Sequence, residues 1–171
     1  MKYLFSIFTI LMFIGCKSDV PIVSNFYKDG VIVEYNTSKD LNFFDNEPHS
    51  LDITIYQLSS KDVFTQMCNS LNSQTILLQG KNFDTSMKSV NKKVIFPNEK
   101  VSIKLDKFKD TRYLGVIAGF YPVPKCKVIP FQVQDKYFNS LKFWQHKEVI
   151  KTIKAEILFS KDDIEIKVKN D

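Results

Sequence analysis

The residues best suited to covalent or metal chemistry are three cysteines, Cys16, Cys68 and Cys126, and two histidines, His49 and His146. Cys16 closes the sequence Phe13-Ile14-Gly15-Cys16, behind Lys2 and an apolar run from Tyr3 to Ile14. A lysine, an apolar stretch and a small residue, in that order, form an export signal. A cysteine directly after the small residue turns that signal into a lipobox, where the thiol takes up lipid and the chain is cut in front of it. Phe13 stands where such motifs usually carry leucine. The apolar run falls well short of the ~20 residues that span a bilayer, and the A-x-A-like pattern of a plain cleavage site is absent. The mature chain is therefore expected to begin at acylated Cys16 and to work outside the cytoplasm. Several acyl chains on one cysteine would hold it durably to a membrane.

Cys68 and Cys126 remain, and exported proteins often pair such residues. A Cys68–Cys126 disulfide would close a loop of roughly 57 residues and contribute ~4 kcal/mol in the chain-entropy model. Two buried free thiols fit the sequence equally well. The histidines show no H-E-x-x-H spacing and there is no C-x-x-C, so no metal site is expected. A nucleophilic pair of Cys68 or Cys126 with His146 has no local support. After Cys16 the only glycines are Gly30, Gly80, Gly115 and Gly119, too scattered to cradle a phosphate. Asp162-Asp163 falls in a turn and reads as solvated. The chemistry that remains is lipid attachment and binding. No enzyme is expected, and no cofactor beyond the covalent lipid on Cys16. Trp144 with Phe138 and Phe143 reads either as a ring platform, which would make this a periplasmic ligand- or glycan-binding lipoprotein, or as core. Large aromatics are mostly buried, which favours core.

The chain has 171 residues. It divides into a signal peptide (1–15), an acylated cysteine with a polar tether (16–25), and one domain's length of sequence (26–171). Hydrophobic residues make up 44% and charged residues 25%, a balance that excludes a disordered chain. The net charge of +5 comes from lysines spread along the chain without a nucleic-acid-binding motif.

The periodicity is mostly that of strands. Val31 to Tyr35 is a first strand, followed by a polar loop, Asn36 to Ser50, carrying Phe43, Phe44 and Pro48. Leu51, Ile53 and Ile55 alternate with polar residues in a half-buried strand that continues to Leu58. Ser59-Ser60-Lys61-Asp62 has the form of a capping box. Behind it Val63, Met67 and Leu71 recur every four residues, with Phe64 and Cys68 beside them, which predicts an amphipathic helix. Ile76 to Leu78 adds a turn before Gly80, a helix stop. Lys81 to Lys92 carries no clear signal. Val94 to Phe96 leads into a Pro97-Asn98-Glu99 turn and an alternating strand with Val101, Ile103 and Leu105. Tyr113 to Tyr121 is almost continuously apolar and reads as a strand buried on both faces. Pro122, Pro124 and Pro130 predict an irregular segment, with Phe131 to Val133 as a short edge strand. Tyr137 to Glu148 reads as a loop or short helix. Ile153 to Phe159 and Ile164 to Val168 form a hairpin about Ser160–Asp163. Seven or eight short strands with one helical insertion after the second predict a mainly β, two-sheet β-sandwich.

The order and spacing of several of these features resemble the TssJ (SciN/VasD) family, the outer-membrane lipoproteins of the bacterial type VI secretion system. The resemblance rests on the lipobox, on the loop opening with Leu41-Asn42, on Leu51-x-Ile53-x-Ile55-Tyr56-Gln57-Leu58, and on Arg112-Tyr113-Leu114-Gly115-Val116-Ile117-Ala118 after the Pro97 turn. It runs from about Val31 to Phe120. Asn98 stands where the family usually has glycine, Gly119-Phe120-Tyr121 replaces an aromatic-arginine ending, and residues 122–148 match poorly. The cysteine pair lies outside the family pattern.

What the resemblance implies is a transthyretin-like sandwich tethered to the periplasmic face of the outer membrane. It also implies a complex with TssM and TssL, in which the loop between the first two strands binds the periplasmic C-terminal region of TssM. Here that loop is Leu41, Asn42, Phe43, Phe44, Asp45, Asn46, Glu47 and Pro48. Two adjacent aromatics in a polar loop seldom face one core, so at least one is a candidate interface residue. Lys17, next to the acylated cysteine, is compatible with sorting to the outer membrane.

Overall fold

The computed structural model describes residues 26–131 and 152–168. Two four-stranded sheets face each other. The strands are β1 (Phe26–Thr37), β2 (Leu51–Leu58), β3 (Met87–Ile95), β4 (Lys100–Phe108), β5 (Tyr113–Ala118), β6 (Lys125–Pro130), β7 (Ile153–Phe159) and β8 (Ile164–Val168). One sheet has the order β4-β1-β7-β8 and the other β3-β2-β5-β6. The chain crosses between sheets after β1, β3, β4 and β6. All pairings are antiparallel except β1 with β7, which runs parallel.

Alternation decides which face each strand buries, because successive side chains point to opposite faces. Val31, Val33 and Tyr35 of β1 point between the sheets, as do Leu51, Ile53 and Ile55 of β2. Leu114, Val116 and Ala118 of β5 meet them from the same side as β2. Gln57 of β2 spans the gap at one flank. Its Nε2 donates to the Asp106 carbonyl at 2.7 Å, and its Oε1 accepts from Phe108 N at 3.1 Å and Thr111 Oγ1 at 3.0 Å. A fully buried amide in an apolar layer is tolerated because these bonds satisfy it.

β5 is apolar on both faces, as its sequence predicts, because a second core lies outside its sheet. Two short helices, α1 (Asp62–Met67) and α2 (Leu71–Leu78), cover Tyr56, Leu58 and Ile117 with Phe64 and Leu77. Burying a Phe or Leu side chain in this way contributes roughly 1.5–3 kcal/mol. Gly115 makes the contact possible. A Cβ built there would lie 2.8 Å from two carbons of the Phe64 ring, so any side chain at this position would push the ring off the sheet. Gly80, at φ +74, ends α2, in the left-handed conformation that glycine adopts without steric cost.

The helical reading needs two corrections. Ser59 and Asp62 form no capping box: Ser59 Oγ donates to the Ser86 carbonyl at 3.3 Å, Asp62 pairs instead with Ser60, whose Oγ donates to Oδ2 at 2.8 Å and accepts Asp62 N at 3.3 Å, and Lys61 caps α1 without a side-chain bond. The four-residue spacing holds only as far as Met67: Val63 and Met67 pack half-buried against the second core, but α1 stops at Met67 and Leu71 starts a separate helix with its side chain exposed. Phe64 and Leu77 carry the full burial. Separately, the segment around Pro122, Pro124 and Pro130, expected to be irregular, contains β6 at Lys125–Pro130; of the edge strand expected at Phe131–Val133, residues 132 and 133 lie outside the described residues. The segment 137–148 lies outside the described residues.

Candidate functional site

Four connections sit at one end of the sandwich: the loop 38–50 between β1 and β2, and the turns β3–β4, β5–β6 and β7–β8. The pairing register places them together, because Thr37 opposes Phe159, Leu51 opposes Ile95 and Ile53 opposes Ala118. β1 begins at the opposite end, where Phe26 pairs with Phe108 and their rings lie 6.3 Å apart.

The loop contains no regular structure, yet nearly every part of it is bonded to a neighbour. At its root, Ser38 N donates to the Phe159 carbonyl at 2.9 Å, and Asn98 N donates to the Ser38 carbonyl at 3.1 Å. Thr37 Oγ1 donates to the Phe96 carbonyl at 2.6 Å and accepts Glu99 N at 2.7 Å. Asn98 at φ 60 makes the tight β3–β4 turn, a conformation asparagine tolerates as glycine does.

Further along, Leu41 is fully buried in the inter-sheet core and pins the loop. Asn42 is 6% exposed and holds two connections at once. Its Nδ2 donates to the Ser50 carbonyl at 3.3 Å, and its Oδ1 accepts Tyr121 N from the β5–β6 connection at 2.9 Å. Phe43 N donates to the Lys161 carbonyl in the β7–β8 turn at 3.3 Å.

The tip is a tight reversal. Phe44 N donates to the Glu47 carbonyl at 3.2 Å, and Glu47 N donates back at 3.1 Å. Asp45 and Asn46 both have positive φ, 54 and 66, as a turn whose two central residues are left-handed requires. Asp and Asn are the side-chain-bearing residues best able to adopt it.

Phe43 and Phe44 part company. Phe43 is exposed, with Lys161 Nζ 5.0 Å from its ring centroid. Phe44 is half-buried, stacked on His49 with centroids 3.7 Å apart and tilted against Tyr121 at 4.8 Å. His49 Nε2 donates to the Phe44 carbonyl at 3.1 Å, which locks the ring pair. Asp45, Glu47 and Pro48 are exposed. Sequence reasoning did not attach His49 or Tyr121 to this loop. His49 stands five residues after Phe44, but Tyr121 arrives from 77 positions away, and no local pattern reveals it.

Cys68 and Cys126 form a disulfide, with Cα atoms 6.0 Å apart. It joins the end of α1 to β6. Cys16, Trp144, Phe138, Phe143 and His146 lie outside the described residues. Among the described residues no group of His, Cys, Asp or Glu could hold a metal ion, and no helix is long and apolar enough to cross a membrane.

A sandwich with helices on one face and a bonded inter-strand loop can be compared with known proteins. Residues 29–169 match the model of the type VI secretion lipoprotein family, described as VasD, EvfM, TssJ and VC_A0113. The chain belongs to this family. No curated protein matches the sequence. Among solved structures, TssJ1 of Pseudomonas aeruginosa, a type VI secretion lipoprotein, is 16% identical with a TM-score of 0.57; the match covers 82% of this chain and 96% of TssJ1. Serratia marcescens Lip, a membrane-bound component of the type VI secretion system, is 15% identical with a TM-score of 0.56, over 82% of this chain and 98% of Lip. A chain in a structure of the TssM C-terminal domain (869-1107) from EAEC is 12% identical with a TM-score of 0.54, over 81% of this chain and 98% of that one. The family is one of type VI secretion lipoproteins, and the eight-stranded, two-sheet fold of the described residues agrees with the TssJ structures.

Proposed function

We propose that this lipoprotein anchors the type VI secretion membrane complex to the outer membrane. The lipid on Cys16 holds the membrane, and the loop Leu41–Pro48 grips the periplasmic C-terminal region of TssM, which assembles with TssL. The observation that carries this reading is the layout of β1. Its start continues from the tether and its end opens directly into the loop. Twelve residues of strand separate the two by roughly 35 Å at the usual rise per residue. The domain is thus a spacer that presents the loop away from the membrane. Pre-ordering by Asn42, Leu41 and the β7–β8 turn removes an entropy cost from binding.

The test is crosslinked affinity purification from native envelopes, comparing wild type with Phe43→Ala/Phe44→Ala and with Cys16→Ser. Wild type should recover TssM. The double alanine variant should remain in the membrane fraction and lose TssM, and Cys16→Ser should be soluble, folded and unable to support secretion. Normal TssM recovery and secretion by a stably expressed double variant would refute the role of the loop.

A further inference from the structure

The loop does not end the exposed apolar surface at this end of the sandwich. Tyr121 and Val123, in the β5–β6 connection, are 64% and 41% exposed. The Tyr121 ring touches Phe44, and its backbone is tied to Asn42. Phe44 and Tyr121 therefore form one apolar step built from two separate connections, with exposed Phe43 beside it in the chain and under Lys161. Its border is acidic at the loop tip, while Lys161 lies over Phe43 on the side of the β7–β8 turn. The loop 38–50 carries Asp40, Asp45 and Glu47 against Lys39 alone, in a chain whose net charge is +5. Asp45 and Glu47 are exposed and flank Phe44 at the tip.

We propose that the docking surface is this composite, the loop tip together with Tyr121. Its occupant is a protein face with an apolar socket bordered by arginine or lysine. The proposal rests on the functional reading above and adds to it a second contributing segment and the chemistry of the partner's face. Exposed carboxylates beside the rings disfavour an anionic lipid surface, and the tether enters at the other end of β1. They also disfavour tip-to-tip pairing with a second copy, since like charges placed together oppose association. Large aromatics at the centre of a contact dominate its energy, while charges at its margin mainly set association rate and salt dependence.

The experiment measures binding of the detergent-solubilised full-length lipoprotein to the purified periplasmic C-terminal region of TssM from the same genome, across a series of NaCl concentrations. Tyr121→Ser should weaken binding about tenfold or more, as expected for a central aromatic. Asp45→Asn and Glu47→Gln preserve shape, and asparagine suits the positive φ at position 45. They should weaken binding at low salt and flatten its salt dependence. Val94→Ser, an exposed apolar residue on β3, should change nothing.

Wild-type affinity in Tyr121→Ser, Asp45→Asn and Glu47→Gln, with binding still lost in Phe43→Ala/Phe44→Ala, would confine the site to the loop and overturn the composite. Failure of wild type to bind TssM at all would instead overturn the functional reading. Self-association of the free protein that Tyr121→Ser abolishes would make the occupant a second copy and refute the proposal. Should Tyr121→Ser loosen the Phe44 packing, Val123→Ser, at the other exposed apolar residue of the β5–β6 connection, tests that segment with Tyr121 in place, and weaker binding is expected; the two amide variants test the charged border, since the structure gives their carboxylates no hydrogen bond or ion pair.

Discussion

The loop 38–50 and the helical insert 59–86 both leave the strands for more than ten residues, and they are held in opposite ways. The insert is fixed by burial. Phe64 and Leu77 are completely covered, and Cys68 ties the first helix to β6. The loop has one fully buried apolar side chain, Leu41, and is otherwise fixed by hydrogen bonds to the three neighbouring turns. A segment held by polar bonds can leave its rings facing solvent and still keep its shape, whereas one held by burial cannot. Substitutions in the insert should therefore cost folding, and substitutions at the loop tip should cost binding.

The sharpest test is Phe64→Ala. It leaves a cavity over Gly115 and should destabilise the protein by ~3–5 kcal/mol, read as a lowered urea midpoint. Retention of wild-type stability would mean that the insert does not share the fold's cooperativity. Replacing both cysteines, Cys68→Ser with Cys126→Ser, should cost about 4 kcal/mol in the chain-entropy model. A reductant titration of wild type should reach the same stability as the double variant.

Tyr56→Phe should cost about 1 kcal/mol, because the Tyr56 hydroxyl donates to the Leu77 carbonyl at 2.7 Å and its loss removes that buried bond, while Gly80 N still donates to the carbonyl at 2.9 Å. Burial raises the Tyr56 pKa to about 12 from 10.0. The neutral phenol is thus the form the fold prefers. Its contribution is complete below pH 10 and is lost as pH rises from 10 towards 12. Wild type should lose stability over that interval, and Tyr56→Phe should lose less. Phe43→Ala is the smallest case: its exposed ring should change stability by less than about 0.5 kcal/mol. A larger loss in a thermal melt would show that the loop also braces the sandwich.

Legibility in the sequence followed the same division. Alternation in Leu51–Leu58 and in the final hairpin located strands, and the doubly apolar Tyr113–Ala118 correctly implied cover on both faces. β6 escaped because Pro122, Pro124 and Pro130 suggested irregularity. An edge strand tolerates proline at its end, and Pro130 is the last residue of β6. The helical period misled because the chain breaks at Cys68–Ser70, so the phase of Val63 and Met67 does not carry over to Leu71. Asn42 and Tyr121 could not be joined from sequence, since a polar bond between distant loops leaves no periodic trace. Nor could the parallel partnership of β1 with β7, which depends on how the chain crosses between sheets.

That partnership has a consequence under tension. Under the proposed anchoring, a chain pulled between Cys16 and the loop is loaded along the axis of β1, which is flanked by β4 on one side and β7 on the other. Force in that direction shears both ladders at once, so many backbone bonds share the load and none is peeled open in turn. A strand pulled from the edge of a sheet would unzip one bond after another.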